Sequence, residues 1–172
     1  MTTSNIDLLN LAKYYHLPLY NVIQKDQLNK CQQINNTFYV INNQSSSVGS
    51  GSHWAALFLS KHVSIFFDSF GAPPSTEIVE YTKKFKTKHL YYNNFIIQDL
   101  HSDNCGYFAV SFALFLCQNC DKNFTDALNV FNEFVHIFDN DTRRNDKILC
   151  SIFRLYTSGK PPNCISKLYR QK

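Results

Sequence analysis

The longest apolar stretch of this sequence, Tyr107–Cys117, follows directly on the polar segment Asp103–Gly106. The stretch is apolar on nearly all sides when drawn as a helix, and such a helix is buried in the core of a domain. The rest of the chain must then supply a shell of other elements around it. A length of 172 residues and an apolar fraction of 44% are sufficient for one such domain, spanning residues 1–172, without disulfides or metal.

The flanking sequence predicts helices and strands in separate groups. Ser4 and Asp7 form a capping-box pattern at the start of the first helix. Short β-type runs at His53–Leu59 and Val63–Phe67 predict a hairpin. The sequence predicts helices at 4–16, 75–85, 107–117, 123–138 and 142–157, strands at 37–41, 53–59, 63–67 and 90–98, a polar loop at 42–52 and an irregular tail from Gly159. This grouping predicts an α+β fold, with a small, mostly antiparallel central sheet packed by helices.

Cys105 lies where a loop meets the N-terminus of the predicted buried helix. A thiol at this place is close to the positive end of the helix dipole and to N–H groups without helical partners, and both favour the nucleophilic thiolate. Gly106 would leave space beside the sulfur for a substrate backbone. The alternative is that Cys105 is a small buried apolar residue, as most free cysteines are.

A nucleophilic cysteine needs a base within reach and a third group to orient that base. His53 begins the first strand of the predicted hairpin, and Asp68 follows the second. A short turn places the two residues directly opposite each other at the open end of the hairpin. We therefore predict that Asp68 orients the His53 imidazole, as the acid of a catalytic triad does. The alternative for Asp68 is a turn residue, since Asp-Ser-x-Gly favours turns.

Gln98 lies seven residues before Cys105, at the end of a predicted strand. Its amide N–H groups suit an oxyanion hole, with the backbone N–H of Cys105 as the second donor. The alternative is an exposed glutamine without function. Asp99 and His101 compete for the acid and base roles, but their place in the short loop before Cys105 makes a correct approach to the sulfur difficult.

Other ligands are suggested only by short motifs. Cys117 and Cys120 have the CxxC spacing of zinc or redox sites, but no second such pair follows, so we predict no metal and no cofactor. The lysines between residues 83 and 88 either contact DNA or another polyanion, or form a solvated helix end. They are Lys83, Lys84, Lys86 and Lys88.

The sequence also bears on location. It has no leader of basic and then apolar residues and no run of about 20 apolar residues, so we expect no membrane span. The six cysteines are then expected as free thiols in a reducing compartment.

Three segments together resemble the adenain-like cysteine proteases, the group of the adenovirus endopeptidase and, more distantly, the SUMO and ubiquitin-like-protein proteases. They are Ser52–Trp54, Phe67–Gly71, and Gln98 with Asn104–Phe108. The chain order of histidine, acid and cysteine matches this group and is opposite to the papain order. The spacing from Gln98 to Cys105 matches as well. The resemblance covers about residues 5–120.

The resemblance implies a cysteine endopeptidase whose groove favours small residues, often glycine, beside the scissile bond. The residues implied in catalysis are His53, Asp68, Gln98 and Cys105, and those expected to flank the groove are Ser52, Trp54 and Gly106. Trp54 is alternatively a core residue. Short, Asn-rich chains of this type resemble the maturation proteases of virophages and Maverick/Polinton elements. This implies cleavage of capsid precursor proteins during virion assembly, in the virion and the host-cell cytoplasm or viral factory.

The sequence departs from the adenovirus enzymes at two points. Asp68 stands where those enzymes carry glutamate, and no cysteine occurs between residues 32 and 104 to anchor a disulfide-linked activator peptide. Three alternatives stay open. The same triad would serve an isopeptidase that removes a host ubiquitin-like modifier, or acyl transfer to a hydroxyl or amine. A non-enzymatic virion or nucleic-acid-binding protein would instead have an unreactive Cys105.

Overall fold

The computed structural model of the protein describes residues 3–49, 53–85, 89–159 and 163–169. Five strands are present in these ranges: β1 Leu19–Gln24, β2 Thr37–Asn42, β3 Trp54–Leu59, β4 Ser64–Phe67 and β5 Leu90–Tyr92. The helices are α1 Asn5–Tyr14, α2 Thr76–Lys84, α3 Cys105–Asn119, α4 Ala127–His136, α5 Asn145–Tyr156 and α6 Asn163–Tyr169. Short 3₁₀ helices span Lys25–Lys30 and Thr142–Arg144.

The five strands form one sheet in chain order, β1-β2-β3-β4-β5. The two central pairings, β2 with β3 and β3 with β4, are antiparallel, whereas β1 with β2 and β4 with β5 are parallel. Parallel neighbours need a crossover between them. Here the crossovers contain the 3₁₀ helix Lys25–Lys30 and α2. The predicted α+β fold is confirmed, but the sheet is mixed rather than mostly antiparallel, because its two edge strands are parallel to their neighbours.

Both faces of the sheet are covered. Ala56 and Phe58 of β3 belong to a core cluster shared with α1, α3, α4, α5 and α6. Ala55 and Leu57 belong to a second cluster on the other face, with α2 and the first 3₁₀ helix. A strand buried on both faces is apolar throughout rather than alternating. The predicted buried helix is confirmed as α3, whose side chains from Cys105 to Leu114 are all buried.

The C-terminal segment and the last strand differ from the sequence prediction. The predicted irregular tail is wrong for residues 163–169, which form α6 and bury Ile165 and Leu168 in the core. The predicted strand at 90–98 ends at Tyr92. It ends there because Asn93 turns inward and bonds the backbone of Asp68. At the other end, the capping box of Ser4 and Asp7 is confirmed at the start of α1.

None of the described helices is long and apolar enough to cross a membrane. All six cysteines carry free thiols.

Candidate active site

The β3–β4 hairpin brings His53 to Asp68. A turn closes the hairpin, where the backbone N–H of Ser60 donates to the carbonyl of Val63 at 3.0 Å. Its strands pair with Ala56 opposite Phe67, two positions away from the direct His53–Asp68 pairing predicted from the sequence, which is therefore wrong. Asp68 is instead a diagonal neighbour, with His53 Nε2 at 2.9 Å from Asp68 Oδ2. An offset of two keeps side chains on the same face, so the predicted contact forms despite the register.

Phe70 takes the place across from His53 in that register. The centroids of the two rings are 4.8 Å apart, with an interplanar angle of 31°. Phe70 also donates its backbone N–H to Asp68 Oδ1 at 2.8 Å. The aromatic ring therefore supports one face of the imidazole while the backbone of the same residue holds the acid.

Asp68 is fully buried and its carboxylate oxygens are bonded. The oxygen that accepts from His53 also accepts from Asn43 Nδ2 at 3.1 Å. Asn43 in turn donates its backbone N–H to the carbonyl of His53 at 2.9 Å. The Asn93 side chain makes two hydrogen bonds to the main chain of Asp68. It accepts from the Asp68 N–H at 3.1 Å and donates to the Asp68 carbonyl at 2.7 Å. A buried polar group with its partners in place keeps one orientation.

The contact with Asp68 defines the role of each His53 nitrogen. Nε2–H donates to the carboxylate, so in the neutral ring the lone pair is on Nδ1. Nδ1 is buried and makes no close hydrogen bond, and the Cys105 thiol is near enough to interact with the imidazole. Nδ1 is therefore the atom able to exchange a proton with a group at Cys105.

Burial alone would lower the pKa of His53, but the hydrogen bonds and charges of Asp68 and Cys105 outweigh it and raise this pKa to about 9. The imidazole is then protonated at neutral pH. A positive charge beside a thiol favours the thiolate, which is the nucleophilic form. The pair is therefore suited to attack on an electrophilic carbon.

The raised pKa of His53 predicts a pH-dependent stability. The charged imidazole stabilises the fold fully below its ordinary pKa of 6.5, and this contribution is lost as the pH rises through about 9. We therefore compare the free energy of unfolding of the wild type with that of His53→Gln. The difference between the two proteins should fall by roughly 2 kcal/mol as the pH rises through this window. Urea unfolding of both proteins at pH 6 and pH 10 measures it. A difference that does not change with pH would contradict the prediction.

Gln98 is 1% exposed and is held at both ends of its amide. Its Oε1 accepts from the Ser69 hydroxyl at 2.7 Å, and its Nε2 donates to the carbonyl of Ser102 at 2.5 Å. The amide nitrogen is thus on the side of the segment that leads into α3 and Cys105. Sequence reasoning gave no role to Ser69, and it missed Asn43 and Asn93, because single polar residues in loops carry no periodic signal.

Cys105 is the first residue of α3 and is 6% exposed. Asn104 occupies the N-cap position, without a side-chain bond to the helix N–H groups. The two competing candidates lie elsewhere. Asp99 Oδ1 accepts from the backbone N–H of His101, and the His101 side chain is exposed. The structure therefore brings His53, and not His101, to the thiol.

The residues expected to flank a substrate groove have other contacts. A Cβ atom added to Gly106 would lie 3.0 Å from both Leu8 and Thr3, so the protein's own N-terminal residues fill the space expected for substrate. Trp54 donates its indole N–H to the carbonyl of Thr3 at 2.9 Å and packs against the core. Gly106 thus lets the first turn of α3 pack closely against α1, and Trp54 holds the residue that precedes the α1 cap. Ser52 lies outside the described residues.

Two further motifs predicted from the sequence, the CxxC pair and the basic run, lie outside the group around His53. Burial raises the pKa of Cys117 and of Cys120 to about 12, with nearby acids adding to the effect at Cys120, so both thiols are protonated at neutral pH. The described ranges hold no cluster of three or more metal-binding side chains. Lys83 and Lys84 lie in the last turn of α2, where cations are favourable, and Lys84 donates to Asn29. Lys86 and Lys88 lie outside the described residues.

Comparison with known proteins shows the fold. No protein-family model matches the chain, and no curated protein matches it. The crystal structure of the ASFV pS273R protease is similar at 15% identity and a TM-score of 0.51, covering 80% of this chain and 67% of that one. The chain shares the fold of this protease.

Two other solved structures are similar at lower TM-scores. A selenomethionine structure of the ASFV pS273R protease has 18% identity and a TM-score of 0.42, covering 63% of this chain and 46% of that one. AvrA delL154 with IP6 and CoA has 15% identity and a TM-score of 0.45, covering 94% of this chain and 67% of that one.

Proposed function

We propose that this protein is a cysteine protease with Cys105 as nucleophile, His53 as base, Asp68 as orienting acid and Gln98 as an oxyanion donor. The observation that carries the proposal is the placement of the His53 imidazole between a fully buried carboxylate and a thiol at the start of a helix. The motif resemblance and the fold shared with the ASFV pS273R protease support it.

In the proposed mechanism each group has a defined role. The Cys105 thiolate attacks the carbonyl carbon of the substrate, and the negative charge moves to the carbonyl oxygen. The Gln98 amide and the Cys105 backbone N–H stabilise this oxyanion. The His53 imidazolium gives its Nδ1 proton to the leaving amine, which departs as the thioester forms. Neutral His53 then takes a proton from water, which attacks the thioester and regenerates the thiolate.

The proposed substrates are capsid precursor proteins, cleaved during virion maturation in the virion or viral factory. This part rests on the resemblance of a short, Asn-rich chain with adenain-like motifs to the maturation proteases of virophages and Maverick/Polinton elements. A contact of DNA or another polyanion with Lys83, Lys84, Lys86 and Lys88 belongs to the same proposal, and it rests on the positive charge of this run alone.

Alkylation with limiting iodoacetamide at neutral pH tests the catalytic pair without a known substrate. We expect Cys105 to react at least roughly tenfold faster than Cys31, whose pKa is raised by burial. His53→Ala should abolish that preference, because the imidazolium that favours the thiolate is lost. Peptide mass spectrometry of all six thiols gives the rates. Equal rates at Cys105 and Cys31 in the wild type would overturn the proposal.

A further inference from the structure

Ser69 is the residue after the proposed acid, and it is 1% exposed. Its hydroxyl donates to Gln98 Oε1 at 2.7 Å. A carboxamide oxygen only accepts hydrogen bonds and a carboxamide nitrogen only donates them. Nε2 donates to the Ser102 carbonyl. The two hydrogen bonds together therefore fix the orientation of the amide, with Oε1 toward Ser69 and Nε2 toward Ser102.

The main chain of Ser69 reinforces this arrangement. Its carbonyl accepts from the backbone N–H of Ile97 at 2.8 Å and from that of Gln98 at 2.9 Å. Gln98 is therefore bonded to Ser69 through both its backbone and its side chain. The preceding residue, Asp68, is clasped by Asn93 from the same segment as Gln98. The acid and the oxyanion donor thus belong to one bonded unit, formed by the turn after β4 and residues 93–98.

We propose that Ser69 is a positioning residue of the oxyanion hole. Its hydroxyl holds the Gln98 oxygen away from the reacting carbonyl and leaves the amide nitrogen, with its second N–H, on the side of Cys105. Without the hydroxyl, only the bond from Nε2 to the Ser102 carbonyl opposes a turn of the amide, and a carboxamide oxygen facing an oxyanion repels it. This inference rests on the proposed function, because it requires an oxyanion to form on a group attacked by Cys105.

A purely structural serine would behave differently. Loss of its hydrogen bond would lower stability and leave the chemistry of Cys105 unchanged wherever the protein is folded. Acylation and alkylation of the same thiol separate the two roles, because acylation by p-nitrophenyl acetate passes through an oxyanion and alkylation by iodoacetamide does not.

The experiment compares both rates at Cys105 in the wild type, Ser69→Ala, Gln98→Ala and the double variant. Ser111→Ala is the matched control. Ser111 is a fully buried serine whose hydroxyl donates to a backbone carbonyl within α3. Rates are measured below the thermal transition of each variant, so that all proteins are folded.

We expect Ser69→Ala to lower the acylation rate roughly tenfold, corresponding to about 1.4 kcal/mol for a lost orienting hydrogen bond. Its alkylation rate should be unchanged, and it should cause no further loss in the Gln98→Ala background. No loss of acylation, or an equal loss with and without Gln98, would overturn the role of Ser69. If Gln98→Ala itself acylates like the wild type, the oxyanion role of Gln98 in the proposed function fails, and the role of Ser69 fails with it.

Discussion

Cys105→Ala is expected to lower peptide-bond cleavage by roughly 10⁴-fold or more, because no other group of the site can form the acyl intermediate. His53→Ala should lower the cleavage rate by nearly the same factor, because removing either of two residues that act as a unit removes most of their joint effect. Incubation with a library of peptides from denatured proteins, followed by mass spectrometry of newly formed amino termini, measures cleavage even where the natural substrate is unidentified. The same spectra give the sequence preference around the cleaved bond.

Cys31→Ala is the control for loss of a thiol. Cys31 packs against the core cluster on the face of the sheet opposite to α3, so its replacement should leave cleavage near the wild-type rate. Cleavage that persists in Cys105→Ala would exclude Cys105 as the nucleophile. A double variant of His53 and Cys105 that is far slower than either single variant would show that the two residues do not act together.

Gly71→Ala is expected to destabilise the fold by about 3 kcal/mol or more. Gly71 has a φ of +70°, and a Cβ atom added there would lie 2.6 Å from the backbone carbonyl group of Phe95. A clash between two backbone segments is not relieved by a side-chain rotation. The clash falls in the turn that carries Asp68 and Ser69, so the loss of stability should be accompanied by loss of cleavage.

Gly159→Ala separates the clash from the cost of the backbone conformation. Gly159 has a similar φ of +79°, but no atom lies within 4 Å of an added Cβ. We expect a cost of only about 1 kcal/mol for the left-handed conformation itself. Urea unfolding of both variants beside the wild type gives the comparison. Equal losses at the two glycines would show that the contact with Phe95 is not what makes Gly71 necessary.

Local sequence patterns were sufficient to predict part of the fold and of the candidate site. The all-round apolar stretch predicted the buried α3, and the capping box predicted the start of α1. The contact between His53 and Asp68 was also predicted, because a short hairpin leaves few registers. The position of Cys105 at the start of that helix was predicted from the boundary between a polar loop and the apolar stretch.

Other features depend on partners that are distant along the chain. β1 was missed because its pairing with β2 is a parallel one across a crossover, and no local signal specifies such a pairing. The close contact of Gly106 with Thr3 and Leu8 was not predicted, because these residues lie about 100 positions away in the sequence. The roles of Asn43 and Asn93 follow from bonds to Asp68, and each spans 25 residues.

The turn between β3 and β4 sets the geometry of the proposed catalytic pair at the other end of the hairpin. Ser60 and Val63 close that turn, and the alignment it sets makes Asp68 the diagonal neighbour of His53. One added residue in the turn that shifted this alignment by a single position would carry the carboxylate to the opposite face of the sheet. Two added residues would restore the face. Insertions in this turn would therefore change the separation between histidine and acid in even steps, at a place remote from the proposed active site.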